Sequence, residues 1–306
     1  MGAFLARRSV RMLVILLIAS VAVFYGLRVA PGDPTGAVLS PMALESAREA
    51  YRERLGLNQP ILTQYATYVR NLFQGNLGTS LVTGKPIGEL LAIYGRNSLI
   101  LGAAALLLTY AVGIPLGVLA AAKRGSWVDT LASGLAVIGL GMPNFWLALL
   151  LIVLFSSRLR WLPSAGCCSP KHLILPAIVL AAEGMAVTTR LMRSSMLEQL
   201  GQDYVRTHRA KGLAERVVVG SRAFRNALLP IISLAGLRIG WLIGYALIVE
   251  TIFQWPGVGF LLVDSVIRRD YPVAQFFSML LVVLVVFGNF LADIAYGLAD
   301  PRVRHA

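Results

Sequence analysis

Residues 98–122 read SLILGAAALLLTYAVGIPLGVLAAA, with no Asp, Glu, Lys or Arg among them. The hydrocarbon core of a bilayer is about 30 Å thick and is crossed by about 20 apolar residues in helical form. No water reaches that depth, so the backbone N–H and C=O groups must be satisfied within the segment, as a helix does. This stretch therefore decides the class: the chain is built to cross a membrane.

Five more windows have the same character: residues 9–29, 128–156, 173–192, 229–252 and 276–298. The expectation is an all-α, polytopic membrane protein with roughly six transmembrane helices. Gly139, Gly141 and Pro143 mark where the third window can break. The fourth is the least apolar, since it carries Glu183 and Arg190. Composition agrees: 57% of the 306 residues are hydrophobic and only 14% are charged, against about 25% charged in a soluble domain.

The formal net charge is +13. A basic chain invites a nucleic-acid reading, but the basic residues lie between apolar runs, which is a topology signal. Arg7, Arg8 and Arg11 precede the first window, and Lys123 and Arg124 join the second to the third. Arg193, Arg206, Arg209, Lys211, Arg216, Arg222 and Arg225 join the fourth to the fifth, and Arg302 and Arg304 close the chain. With six spans these segments share the cytoplasmic side, and both termini are cytoplasmic. In the outer segment 254–275, Arg268 and Arg269 are matched by Asp264 and Asp270; Arg158, Arg160 and Lys171 go against the rule. The first window also resembles a signal peptide. It is long for one, however, and ends in Arg28 and Pro31-Gly32-Asp33-Pro34, so it reads as a retained helix.

Three regions follow: residues 1–30 as the N-terminus and first span, 31–97 as an external subdomain, and 98–306 as the core. Within 31–97 an amphipathic helix is expected over 41–55, with Glu45, Arg48, Glu49, Arg52 and Glu53 on its wet side. Turns are expected at Gly56, Asn58-Gln59-Pro60 and Gly75-Asn76. No phosphate-cradling loop is present, because Gly84-Lys85 is followed by Pro86.

The segment 195–228 is long, basic and cytoplasmic. Its pattern predicts two short helices broken at Gly212, a residue able to take a left-handed turn. Such a pair lying across the membrane face makes a lever that another protein can push.

Asp203-Tyr204-Val205-Arg206-Thr207, Arg209-Ala210-Lys211-Gly212-Leu213 and Arg225-Asn226-Ala227-Leu228-Leu229-Pro230 resemble the coupling loop of ABC importer permeases. The subgroup is the one handling dipeptides, oligopeptides, nickel and glutathione, and the chain is similar to its first, B-type, permease subunit. Further matches are Pro31-Gly32-Asp33-Pro34, Leu55-Gly56-Leu57-Asn58-Gln59-Pro60, Gly141-Met142-Pro143-Asn144-Phe145-Trp146 and Glu250-Thr251-Ile252-Phe253. Trp255-Pro256-Gly257-Val258-Gly259, Arg269-Asp270-Tyr271-Pro272-Val273 and Asp300-Pro301-Arg302-Val303-Arg304 complete the set. There are two departures. His208 stands where the family usually has alanine, and Ser221-Arg222-Ala223-Phe224 stands where it usually carries a histidine.

The resemblance implies a type I ABC importer permease bundle with cytoplasmic coupling helices, in the cell inner membrane. A second, homologous permease completes a heterodimer. Two ATPase subunits use ATP and Mg, and a periplasmic or lipid-anchored binding protein delivers the cargo. This chain itself would bind no cofactor and hydrolyse nothing. Asp203, Tyr204, Arg206, Ala210, Lys211, Gly212 and Leu213 would form the ATPase-coupling loop, and Trp255, Pro256, Gly257 and Gly259 an external gate or binding-protein face. Di- or oligopeptides are the first choice of cargo; nickel, a nickel chelate or glutathione is the alternative.

Ionisable residues within spans are functional candidates by default: Glu183, Arg190, Arg238, Glu250 and Asp293. Helix pairing or snorkelling is the plainer reading of Arg190 and Glu250. A Glu183–Arg238 pair and a channel-lining role stand about level for the deeper two. Cys167, Cys168 and His172 do not match ordinary metal-ligand spacing. Gly102, Gly113, Gly117, Gly134, Gly139, Gly236, Gly240 and Gly244 read as close-packing positions between helices. Trp255 suits the interface belt. A membrane enzyme lacks its motifs here, with only three histidines in the chain. A self-sufficient transporter predicts repeats that the sequence does not carry.

Overall fold

The computed structural model describes the backbone at residues 2–29, 34–37, 39, 44–54, 56–167 and 169–299. Side chains at 2–6, 34, 37, 51, 54, 236–241 and 291–299 are outside the description. Pro31-Gly32-Asp33, residues 41–43, Leu55, Cys168 and Asp300-Pro301-Arg302-Val303-Arg304 therefore lie outside the described residues, as do the side chains of Arg238 and Asp293 and the surroundings of Gly236 and Gly240.

The helices are α1 (Gly2–Val29), α2 (Glu45–Arg54), α3 (Ile61–Phe73), α4 (Ile87–Ala122), α5 (Trp127–Gly141), α6 (Asn144–Arg158), α7 (Pro170–Leu200), α8 (Asp203–Ala210), α9 (Glu215–Ala227), α10 (Leu229–Ile252), α11 (Val258–Ile267) and α12 (Tyr271–Ala299). The last turns of α6 and the middle of α9 are π-helical. Among the described residues the one β feature is an isolated bridge between Thr79 and Pro86.

Four helices, α1, α4, α7 and α12, are singly long and apolar enough to cross a membrane, and the number rises to six if two bent pairs each count as one span. The sharper bend, 110°, separates α5 from α6. Its cause is local. Pro143 disfavours the α region at the residue before it, and Met142 accordingly sits at φ −95°, ψ 119°. The second pair, α9 and the start of α10, bends by 42°.

The chain divides into two compact units. In Met1–Ser98 with Pro256–Phe290, Ile87, Leu90, Val258, Leu261, Val273 and Phe277 form the core. Phe24 of α1 is buried against Tyr65 and Tyr68 of α3. Asp270 accepts hydrogen bonds from Ser80 Oγ and the Leu81 N–H, tying the loop before α4 to the start of α12. Asp270 is thus a loop clasp rather than a match for Arg269, whereas Arg268 does pair with Asp264, at 2.9 Å.

The second unit contains Leu99–Trp255. Its spine is α7, which packs against α5, α6 and α10. The close approach of α4 to α7 depends on two glycines one helical turn apart. A Cβ on Gly117 would meet Met192 Cβ at 2.6 Å and Thr189 O at 2.7 Å, and one on Gly113 would meet Thr188 Cβ at 2.9 Å. Gly139 is close to Ala186 in the same way, at 3.2 Å. A Cβ on Gly134 or Gly244, read as packing glycines too, would meet nothing within 4 Å among the described residues.

Three departures from the sequence expectations have simple causes. First, α4 starts at Ile87 and α7 runs on to Leu200, because amphipathic turns extend both helices beyond their apolar windows. Second, α3 was not foreseen. Pro60 and Gly75-Asn76, read only as turns, are its start and stop signals, and Ile61, Leu62, Tyr65, Tyr68 and Leu72 recur at helical spacing between them. Third, α11 fills what had read as an external loop; a ten-residue helix is too short to cross a bilayer, and it buries Val258 and Leu261 instead.

Candidate coupling site

The segment after α7 is held rigidly by its own apolar residues. Val205, the one fully buried residue of α8, joins Met192 and Met196 of α7 and Val218, Ala223 and Ala227 of α9 in one cluster. Leu213 and Tyr204 pack against that cluster, half-buried. Tyr204 also donates its hydroxyl to Gln199 Oε1 at 2.8 Å and accepts from Asn226 Nδ2 at 3.2 Å, linking all three helices.

The turn at Gly212 has a defined geometry. Its φ is +76°, its N–H donates to Arg209 O at 2.9 Å, and the Leu213 N–H donates to His208 O at 3.3 Å. That pair of bonds with a left-handed residue is the Schellman ending of a helix. A bidentate ion pair then crosses the turn: Arg209 donates to Glu215 at 2.6 and 3.1 Å. Those hydrogen bonds hold the Glu215 carboxyl below its usual range and push Arg209 up.

Arg206, Arg209, Ala210, Lys211 and Gly212 form the exposed ridge of this unit, with Asp203 at its start, 3.6 Å from Arg206. Chemically it is a stiff, mostly basic surface around a small apolar step at Ala210. Next to Met192 on α7, Arg193 grips Asp129 at 2.5 and 2.8 Å, fixing α5 to α7. Both departures from the family pattern converge: His208, Ser221, Arg222, Arg225, Tyr204 and Asn226 line one cleft of about 230 Å³. His208 Nδ1 has no hydrogen-bond partner there among the described residues. That convergence was invisible in the sequence, where the two departures stand apart.

The remaining candidates are scattered. Glu183 lines a small pocket with Thr109, Leu242 and Tyr245; its proposed partner Arg238 lies outside the described side chains. Glu250 is 1% exposed and engaged by a neighbour. Trp255 is no exposed anchor. It is 5% exposed and sits in the core cluster with Leu175, Val249 and Phe253, because helices distant in sequence enclose it. The rest of the supposed gate is also tied down: Pro256 O accepts from Asn97 Nδ2 at 2.9 Å, and the Val258 N–H donates to Ser98 Oγ at 2.8 Å, with Gly257 and Gly259 buried. Cys167 is disulfide-bonded, and His172 Nδ1 bonds Ser169 Oγ at 2.8 Å.

The family described as "Binding-protein-dependent transport system inner membrane component" matches residues 113–305, and its N-terminal companion matches 1–85. The oligopeptide transport system permease protein AppB of Bacillus subtilis (strain 168) is 42% identical over all of both chains. The di/tripeptide transport system permease protein DppB of Pseudomonas aeruginosa (strain UCBPP-PA14) is 41% identical, over 100% of this chain and 99% of its own. The glutathione transport system permease protein GsiC of Escherichia coli (strain K12) is 38% identical over 99% of each. Among solved structures, the inward-facing MetNI methionine ABC transporter aligns with a TM-score of 0.56 at 20% identity, covering 69% of this chain and 96% of that one.

Proposed function

The chain belongs to the family of binding-protein-dependent transport system inner membrane components, a permease subunit of an ABC importer, and on that premise we propose that it carries di- or oligopeptides inward. The cargo reading rests on the peptide permeases AppB and DppB, which match this chain along its whole length. This chain forms half of a channel and pairs with a second, homologous permease. Two ATPase subunits bind ATP and Mg beneath it, and a binding protein delivers cargo from outside. The N- and C-termini face the cytoplasm, as the arginine and lysine bias requires.

The ATPase docks on Asp203, Tyr204, Arg206, Ala210, Lys211, Gly212 and Leu213. One observation carries this assignment: α8 is welded through Val205 to the end of α7, while its opposite ridge stays exposed. A push on the ridge therefore moves α7 as a rigid body, the kind of two-state element that alternates access. Leu213, half-buried, also packs the turn from beneath.

The test is Gly212→Pro. Proline fixes φ near −65°, so the turn at +76° cannot form. ATP hydrolysis should continue while uptake of a labelled dipeptide falls to background. Unchanged uptake would sink the assignment. Uptake of dipeptide, glutathione and nickel in a strain lacking the gene reads the cargo; loss of nickel or glutathione uptake alone would replace the peptide reading.

A further inference from the structure

The cleft of about 230 Å³ between α8 and α9 lies off the exposed ridge. At about 100° per residue, Tyr204 and His208 in its wall stand about 160° around α8 from Arg206 and Ala210. The wall from α9 carries Ser221, Arg222 and Arg225, and no carboxylate lines the cleft. Ser221 and Arg222 belong to the π-helical stretch Val218–Ala223, a distortion often found at functional sites.

The two arginines are unspent. The ion pairs of α8 and α9 are Asp203–Arg206 and Arg209–Glu215. Arg222 and Arg225 are exposed, and among the described residues their side chains have no partner. Two cations and a hydroxyl with no acid beside them call for an anion, and the guanidinium fork matches phosphate oxygens. The volume is below the about 300–1,000 Å³ of a small-molecule site, which suits a headgroup rather than a whole solute.

The following turns say what the phosphate is attached to. Arg222, Arg225, Leu229 and Ile232 succeed one another at spacings of three, four and three residues, so they share one helical stripe. Leu229 is 62% exposed and Ile232 60%. Moreover, α9 and the start of α10 pass together as one bent membrane span. A stripe that is cationic at one end and bare and apolar at the other matches a phospholipid. Basic pockets at the membrane surface hold anionic headgroups in this way. A zwitterionic headgroup fits less well, because its ammonium meets no carboxylate in the wall.

We propose that this cleft seats an anionic phospholipid, with Arg222 and Arg225 on its phosphate, Ser221 donating to it, and the acyl chains along Leu229 and Ile232. The inference rests on the permease reading, which puts these helices at a bilayer, and it adds a lipid that steadies the coupling unit.

The whole transporter, with its ATPase subunits, is titrated in detergent with phosphatidylglycerol or phosphatidylcholine, and retained lipid is counted by native mass spectrometry. One phosphatidylglycerol per copy of this chain should be retained at about tenfold lower concentration than phosphatidylcholine. Arg222→Gln with Arg225→Gln should abolish that preference without changing the size-exclusion profile, since neither side chain leaves a partner behind. Leu229→Ser with Ile232→Ser should weaken retention of both lipids about tenfold, through lost apolar contact. Undiminished preference in the glutamine variant overturns the site. Displacement of the lipid by excess inorganic phosphate overturns it too, by making the cleft a soluble-anion site. Loss of the ATPase subunits from the glutamine variant would give the cleft to that partner instead. If the lipid behaves as expected while Gly212→Pro leaves uptake unchanged, the lipid site stands and the coupling assignment falls.

Discussion

Gly117 and Gly212 are the same residue put to opposite uses. Gly117 sits in an ordinary helix and is needed for space: α7 passes so close that a Cβ has nowhere to go. A Cβ on Gly212 would meet nothing within 4 Å among the described residues, and the glycine is needed for its backbone angle, +76°. The first holds two membrane helices together, and the second lets a helix end and the chain turn back. A glycine's importance in this protein is thus set by its neighbours or by its φ, and the two kinds respond differently to substitution.

The largest effect is expected from Gly117→Leu. Overpacking a tight core costs about 1–3 kcal/mol or more, and here the clash includes the Thr189 carbonyl. The yield of folded protein after detergent extraction should collapse, and a normal yield would show that the α4–α7 seam has slack. Next is Asp129→Ala, which leaves Arg193 without its bidentate partner. Melting temperature and uptake should both fall, and the double variant with Arg193→Ala should recover part of the loss; no recovery would mean that the pair is not the reason. Gly212→Ala should be milder, since a left-handed non-glycine residue costs about 1–2 kcal/mol. Peptide taken up per ATP should drop a few-fold, and Gly212→Asn should restore most of it. Equal damage from Ala and Asn would point to space rather than angle at this turn. Smallest is Gly134→Ala, with nothing near its Cβ and no positive φ. Its melting temperature should not fall.

Features written locally could be read from the chain alone. The apolar windows marked the long helices, Pro143 marked the break after α5, and Gly212 marked the turn that ends α8. Features made by distant partners could not. Nothing in the sequence separates Gly117 from Gly134, because the difference lies in Met192 and Thr189 on another helix. Trp255 at a helix end reads as an interface anchor until Leu175 and Val249 are seen around it. Arg28 and Gln275 meet across 247 positions, so their bond leaves no motif. The exposed ridge was legible because its residues are contiguous; the convergence of His208 with Arg222 and Arg225 was not.

The bend at Pro143 has a consequence for biogenesis. A fifteen-residue α5 falls short of the about 20 residues that a translocon releases into lipid as an independent span. Its Asp129 also finds its cation on α7. Asp129 can therefore meet Arg193 only after the chain has grown by 64 residues, so α5 should settle into its final place late. Ribosome stalling just before Arg193 should trap α5 in a state still accessible to water-soluble thiol reagents at an introduced cysteine, and release past it should close that access.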